Sequence, residues 1–225
     1  MAPQQKTLFV TGGSGGIGAA IVEIASKSGY LVVAPLRNQL NLSDSQSVES
    51  YLQMSSDLIP DAVILAAGTN NPQELSSLDT SNWRHTLEVN LTSQFRIMQV
   101  LGLKMASLRR GRILAISSCY GSRSRIGRIA YSASKAALNA VVSGVALELA
   151  PQNVLVNGLA PGFVSTELTY RNNDAAAIQA LKSRIPLARL ASPEEIAQTA
   201  LYLVGDDNTY ITGQVISVDG GFLCQ

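Results

Sequence analysis

Short apolar or β-prone runs alternate with helical patterns from one end of this sequence to the other, and that alternation restricts the chain to very few folds. Lys6 to Thr11 reads KTLFVT, a strand; a glycine cluster follows, and then Ile17, Ala20, Ile21, Ile24 and Ala25 recur at helical spacing up to Ser28. Gly29 stops that helix, and Leu31-Val32-Val33-Ala34 reads as a parallel strand buried on both faces. The same logic predicts a helix from Ser43, acting as N-cap with Gln46 three residues on, to Met54, and a strand from Ala62 to Ala66. A long helix from Asn82 to Leu108, a strand from Arg112 to Ser117 and a helix from Tyr131 to Leu149 come next. Strand Val154 to Leu159, helix Pro193 to Val204 and strand Gln214 to Val218 complete the series. Right-handed βαβ crossovers then give an α/β fold, a Rossmann-type doubly wound parallel sheet flanked by helices. With neither a repeat nor a linker in view, residues 1–225 read as one domain.

Two segments break the rhythm. Pro35 to Leu42 is too short for a helical crossover to a parallel neighbour, so any strand at Gln39 to Leu42 is vestigial. Phe163 to Ala191 scatters apolar residues among polar ones just past a strand's carboxyl end, where open α/β sheets bind ligands; residues 163–191 read as a lid.

Composition narrows function. Charged residues make up 15% of the chain, against a usual share of about 25%, so the chain is well buried. The 17 basic and 16 acidic residues are interspersed, which argues against nucleic acid as a partner. The N-terminus MAPQQKTLFVTGG lacks a secretory pattern, and no apolar run has the length of a membrane span, so a soluble cytoplasmic protein is expected. Cys119 and Cys224 have no metal-ligand spacing and read as reduced, unpaired thiols.

The glycine cluster TGGSGGIG lies where the first strand turns into the first helix. Without Cβ atoms, backbone can pass close to a pyrophosphate there, and a helix N-terminus offers free N–H groups. A triphosphate P-loop is excluded, because Ala19 and Ala20 follow Gly18 where Lys and Ser or Thr are needed. The segment Gly12 to Gly16 also fits the hydrolase pattern G-x-S-x-G, but that order needs a histidine late in the chain, and the only one is His85.

Tyr131 and Lys135, four residues apart on a helix, present a phenol and an ammonium on one face, and a nearby cation is expected to bring the phenol toward working pH. Ser117-Ser118 ends the preceding strand and Asn90 lies in the helix before it. With these motifs in this order, the whole chain resembles the short-chain dehydrogenase/reductase family. The matching segments are Thr11 to Gly18, Asn90 in EVNLTS, Ser118 in GRILAISSCYG, Tyr131 and Lys135 in YSASK, Pro161, Gly162 and Thr166 in APGFVSTEL, and ITGQVISVDGGF near the end.

The resemblance implies hydride transfer between a nicotinamide cofactor and a carbonyl or secondary alcohol carbon, on a 3-oxoacyl thioester or a small ketone. It assigns proton transfer to Tyr131, substrate orientation to Ser118, cofactor ribose contact to Lys135 and a water-borne proton relay to Asn90, with Ser117 left to packing. Further cofactor contacts are expected at Gly12, Ser14, Gly16, Ile17, Gly18, Arg37, Asn41, Ala67, Gly68, Pro161, Gly162 and Thr166. Two departures stand out. The family's Asn-Asn-Ala-Gly is Leu65-Ala66-Ala67-Gly68 here, which removes a bracing side-chain amide, and Asn41 replaces an adenine-contacting Asp. The end of the second strand, Pro35-Leu36-Arg37-Asn38, carries no acid to hold ribose hydroxyls, so NADP(H) is favoured, with Arg37 on the phosphate and NAD(H) as second choice.

Arg123, Arg125 and Arg128 are expected near the mouth of the site, to meet an anionic substrate or carrier or to remain solvated. Arg109 and Arg110 resemble a carrier-protein docking patch, while Gln152 argues against one. Helix Ala136 to Leu149 has Glu148 as its one charge, so a homodimer or homotetramer built on that helix is expected. A cofactor-binding sensor or scaffold without catalysis is the alternative, disfavoured by the full set of Asn90, Ser118, Tyr131 and Lys135.

Overall fold

A computed structural model describes residues 5–224; the first four residues, which open the stretch inspected for a secretory pattern, lie outside the described residues. The strands are β1 (Thr7–Thr11), β2 (Leu31–Val33), β3 (Ala62–Leu65), β4 (Gly111–Ile116), β5 (Val154–Pro161) and β6 (Val215–Val218). All pair in parallel, in the order β2-β1-β3-β4-β5-β6. The helices are α1 (Gly16–Lys27), α2 (Ser45–Met54), α3 (Thr80–Leu87), α4 (Ser93–Ser107), α5 (Ile129–Leu149), α6 (Glu167–Arg171), α7 (Ala175–Lys182) and α8 (Pro193–Val204).

The central strands are apolar without alternation because both of their faces are covered. Leu8, Val10, Ile64 and Leu114 pack into the layer with α1 and α8, while Phe9, Val63, Leu65 and Ile113 point into the opposite layer with α2, α4 and α5. The chain leaves β1 toward β2 on one side and returns to β3 on the other. The carboxyl ends of β1 and β3 therefore part at a topological switch point, where doubly wound sheets open a ligand crevice.

Three local expectations are corrected. β2 is an edge strand and not a doubly covered one: Leu31 is 53% exposed, because the short connection after it supplies no further strand. Leu40 and Leu42 from that connection are instead buried beside α2 and α4. The cap of α2 is Asp44, whose carboxylate accepts from the Gln46 N–H at 2.9 Å; Ser43 is occupied with the Asn41 side chain. The predicted helix 82–108 is interrupted by a π turn at Glu88–Thr92, which carries Asn90. The break is confined to one turn between two helical stretches, so a reading that joins the stretches on either side passes over it.

Residues 163–191 hold α6 and α7 between irregular turns. Ile178, Leu181, Ile185 and Leu190 from this segment form a separate apolar cluster with Cys119, Tyr120 and Phe222. Its two ends meet in a parallel bridge between Val164 and Ala191, and the segment is followed at once by the Ser192–Glu195 capping box of α8.

Candidate active site

Two adjoining cavities open at the switch point. The larger, about 490 Å³, is lined by the glycine loop and by Arg37 and Asn41; the smaller, about 160 Å³, holds Ser118, Tyr131 and Lys135. Ile17, Ala67, Gly68, Thr166 and Leu168 border both, so the two are compartments of one cleft.

The larger compartment fits a dinucleotide. α1 begins at Gly15 with no side-chain cap, which leaves its first N–H groups free for phosphate oxygens. Gly12 turns with φ +69°, and a Cβ on it would lie 2.6 Å from Cα of Ala67, so only glycine lets the loop pass the end of β3. Of the expected cofactor contacts, Gly12, Ser14, Gly16, Ile17, Gly18, Arg37, Asn41, Ala67, Gly68 and Thr166 line this compartment. Tyr131, Lys135, Pro161 and Gly162 line the smaller one. Arg171, from the short helix α6, also faces the larger compartment; nothing in the sequence pattern singled it out. His85 lines this compartment too, as does Ser14, the serine of the G-x-S-x-G pattern, but among the described residues no hydrogen bond joins the two and no hydrolytic triad is built.

At the catalytic end, Tyr131 and Lys135 project from successive turns of α5. The Lys135 Nζ donates to the Ile116 carbonyl at 2.7 Å and lies 5.8 Å from the Tyr131 ring centroid. The Tyr131 ring stacks edge-on with Tyr120, centroids 6.3 Å apart, and Tyr120 does the same with Phe163 at 5.9 Å. Burial pushes the Tyr131 hydroxyl up to about 12, partly offset by the polar Ser118 hydroxyl nearby. Burial likewise brings the Lys135 ammonium down to about 8. The expectation that the lysine brings the phenol toward working pH is corrected: burial dominates and raises it, and the ammonium is itself desolvated. Ser117, next to Ser118, hydrogen-bonds Asn139.

Asn90 is fully buried and lines neither cavity. Its amide nitrogen donates to the Thr69 carbonyl at 2.9 Å and the Ser134 hydroxyl at 3.1 Å, and its oxygen accepts from the Thr69 N–H at 2.8 Å. Its side chain thus ties the π turn to the loop after β3 and to α5. The brace thought lost with Leu65-Ala66-Ala67-Gly68 is supplied from elsewhere: Gln94, fully buried in α4, donates to the Ala67 carbonyl at 2.7 Å. A glutamine among apolar helix residues was the only available signal for it.

A family model described as enoyl-(acyl carrier protein) reductase matches residues 32–223. The chain is 37% identical over 224 residues, 98% of its length and 89% of the relative's, to the 3-oxoacyl-[acyl-carrier-protein] reductase FabG of Aquifex aeolicus (strain VF5). Among solved structures, 4-hydroxyisoleucine dehydrogenase complexed with NADH superposes with a TM-score of 0.93 at 27% identity, covering 98% of this chain and 100% of that one. ElxO with NADP bound gives 0.90 at 25% identity, covering 99% and 100%. The chain belongs to the short-chain dehydrogenase/reductase family.

As a member of that family it is a nicotinamide-dependent oxidoreductase of carbonyl and alcohol groups. Around the dehydrogenase site, the loop arginines separate. Arg123 stacks on the Phe222 ring at 5.5 Å, while Arg125 and Arg128 line the small compartment. Farther off, Arg110 pairs with Asp61 at 3.5 Å and Arg109 donates to the Pro151 carbonyl at 3.1 Å, so both residues of the suspected docking patch already have partners on the chain. Cys119 is buried and its thiol pushed up to about 11 by burial, which leaves it unreactive beside Ser118; Cys224 is exposed, and both are free.

Proposed function

We propose that this chain works as an NADPH-dependent carbonyl reductase, with Tyr131 as proton donor, Ser118 orienting the carbonyl oxygen, and Lys135 and the glycine loop holding the dinucleotide. The observation that carries this reading is that Ser118, Tyr131 and Lys135 line one small compartment beside the dinucleotide cavity, with Tyr131 held protonated by burial. A bound reduced nicotinamide supplies the hydride. As negative charge grows on the substrate oxygen, the Tyr131 hydroxyl gives up its proton and the Ser118 hydroxyl donates a hydrogen bond, each preplaced for the transition state. One of the three Lys135 donors is taken by Ile116, which leaves two for ribose hydroxyls. Asn90 acts as a positioning residue, fixing the loop after β3 against α5 beside the reacting groups.

NADP is supported by Arg37, exposed at the rim of the larger compartment, and by the lack of a carboxylate at the end of β2. Residues 163–191 serve as the lid of a single catalytic domain, since Thr166 and Leu168 border both compartments. A homo-oligomer is supported by α5. By length and composition alone this helix could cross a membrane, yet Leu138, Val142 and Ala146 dock it on the sheet layer, while Ala136, Ala140, Gly144 and Leu147 form an uncharged exposed stripe. An exposed Cys224 thiol suits the reducing cytoplasm.

The test is loss of nicotinamide absorbance when purified protein meets NADPH and a panel of ketones and 3-oxoacyl thioesters. Tyr131→Phe should lower turnover by roughly 10²–10⁴-fold while NADPH still binds. Equal turnover in the variant would remove Tyr131 from the chemistry, and a silent wild type with bound NADPH across the panel would reject the reductase reading.

A further inference from the structure

Arg128 ends the loop before α5, three residues ahead of Tyr131, and is only 7% exposed. A guanidinium cannot shed its charge to suit a buried site, so a buried arginine is normally met by a carboxylate. Among the described residues this one has no acidic partner. Its Nη1 donates to the Asn70 side-chain oxygen at 3.1 Å, and its Nε, sealed from water, has no acceptor. The small compartment that it lines also holds Arg125 and Lys135, and none of its lining residues is an aspartate or a glutamate. Three cations therefore surround a cavity of about 160 Å³ with no anion among the lining side chains.

The geometry of the guanidinium says what is missing. With Nη1 engaged and Nε sealed off, Nη2 is the guanidinium nitrogen left to meet a carboxylate oxygen entering the compartment. The guanidinium is held in place from two sides. Arg128 is bridged to Gln73, and Asn70, its one acceptor, has its own carbonyl held by the Asn172 amide of the lid segment at 3.0 Å. Arg128 and Tyr131 line the same small compartment, so the guanidinium and the reacting hydroxyl face one cavity.

We propose that the substrate is a small oxo acid whose carboxylate is held by Arg128, with Arg125 adding positive potential in the same compartment. This rests on the carbonyl-reductase reading and names its substrate class. The carbonyl carbon gains a hydride from reduced nicotinamide dinucleotide, which leaves oxidised; the carbonyl π pair moves to oxygen, which takes the Tyr131 proton, and solvent restores that proton. The product is the hydroxy acid, its carboxylate unchanged. A carbonyl within a few bonds of the carboxylate suits the small volume that Arg128 and Tyr131 both line, whereas a long acyl chain does not.

The experiment compares NADPH oxidation with 2-oxo and 3-oxo acids, their methyl esters, a phosphorylated ketone and a 3-oxoacyl thioester. The wild type should favour the acids over their esters by 50-fold or more in kcat/KM, and Arg128→Leu should bring that ratio close to one, with Arg128→Lys in between. Malonate, which is not reduced, should compete with the carbonyl substrate and bind the NADP⁺-loaded wild type in calorimetry. If Arg128→Leu does not fold, the wild-type ratio and malonate binding decide alone. Equal use of acid and ester, a matching loss of both in Arg128→Leu, preference for the phosphate or thioester, or no malonate binding would each overturn the proposal. Reduction of neutral ketones without acid preference leaves the reductase reading intact. No reduction of any carbonyl by the NADPH-loaded protein rejects that reading, and malonate calorimetry then still tests Arg128.

Discussion

Lys135 lies against the face of the Tyr131 ring, its ammonium 5.8 Å from the ring centroid and bonded to the Ile116 carbonyl on its other side. Both groups are displaced from their usual ranges by the same burial, and in opposite directions. The lysine falls from 10.5 to about 8, and the tyrosine rises from 10.0 to about 12. Reduction needs the phenol protonated and the ammonium charged, and both hold below about pH 8. The expected profile of kcat/KM for reduction is flat near neutrality and falls above about pH 8 as Lys135 loses its proton. Lys135→Arg should move that limb upward; a limb that stays in place assigns it to another group. The unfolded chain keeps this lysine proton to higher pH, so stability contributed by Lys135 should rise from about pH 8 toward 10.5, visible in urea midpoints of wild type against Lys135→Met.

Gln94 holds the Ala67 carbonyl at the floor of both compartments. Gln94→Leu keeps the volume roughly but strands that acceptor, at a cost of about 1–3 kcal/mol. The denaturation midpoint should fall accordingly, and the Kd for NADPH should rise more than kcat changes. An unchanged midpoint and Kd would show that the loop after β3 stands without this brace.

Cofactor choice is centred on one exposed arginine. Arg37→Asp places a carboxylate where a 2′-phosphate is expected, and the ratio of NADPH to NADH in kcat/KM should drop by about 100-fold. An unaltered ratio would detach Arg37 from phosphate recognition and turn attention to Arg171, which faces the same compartment.

Leu147 is 79% exposed on α5, in line with Ala136, Ala140 and Gly144. Leu147→Arg should dissociate the assembly at micromolar concentration in sedimentation equilibrium, with the fold intact by circular dichroism. A wild type that already sediments as a monomer would reject the oligomer outright.

The alternation of apolar runs with helical patterns located every strand and the longer helices, because strands covered on both faces and helices with one buried stripe leave strong periodic signals. What it could not carry was anything decided by one residue's partner. The π turn around Asn90 is confined to one turn between two helical stretches, Asp44 displaced Ser43 as a cap by one position, and β2 looks central until its missing neighbour exposes Leu31. In the site, the glycine loop and the residues Ser118, Tyr131 and Lys135 were legible as motifs. Gln94 and Arg171 were not, since their roles depend on carbonyls and cavities brought close only by folding.

The bridge between Val164 and Ala191 fixes both feet of the segment that carries α6, while Thr166 and Leu168 border the dinucleotide and the carbonyl compartments alike. Any occupant of one compartment that settles α6 therefore alters the work of filling the other, and thermodynamic reciprocity makes the two effects equal in size. A dinucleotide that tightens carbonyl binding tenfold must itself be held tenfold more tightly by the carbonyl ligand, so the bound pair behaves as one cooperative unit at equilibrium.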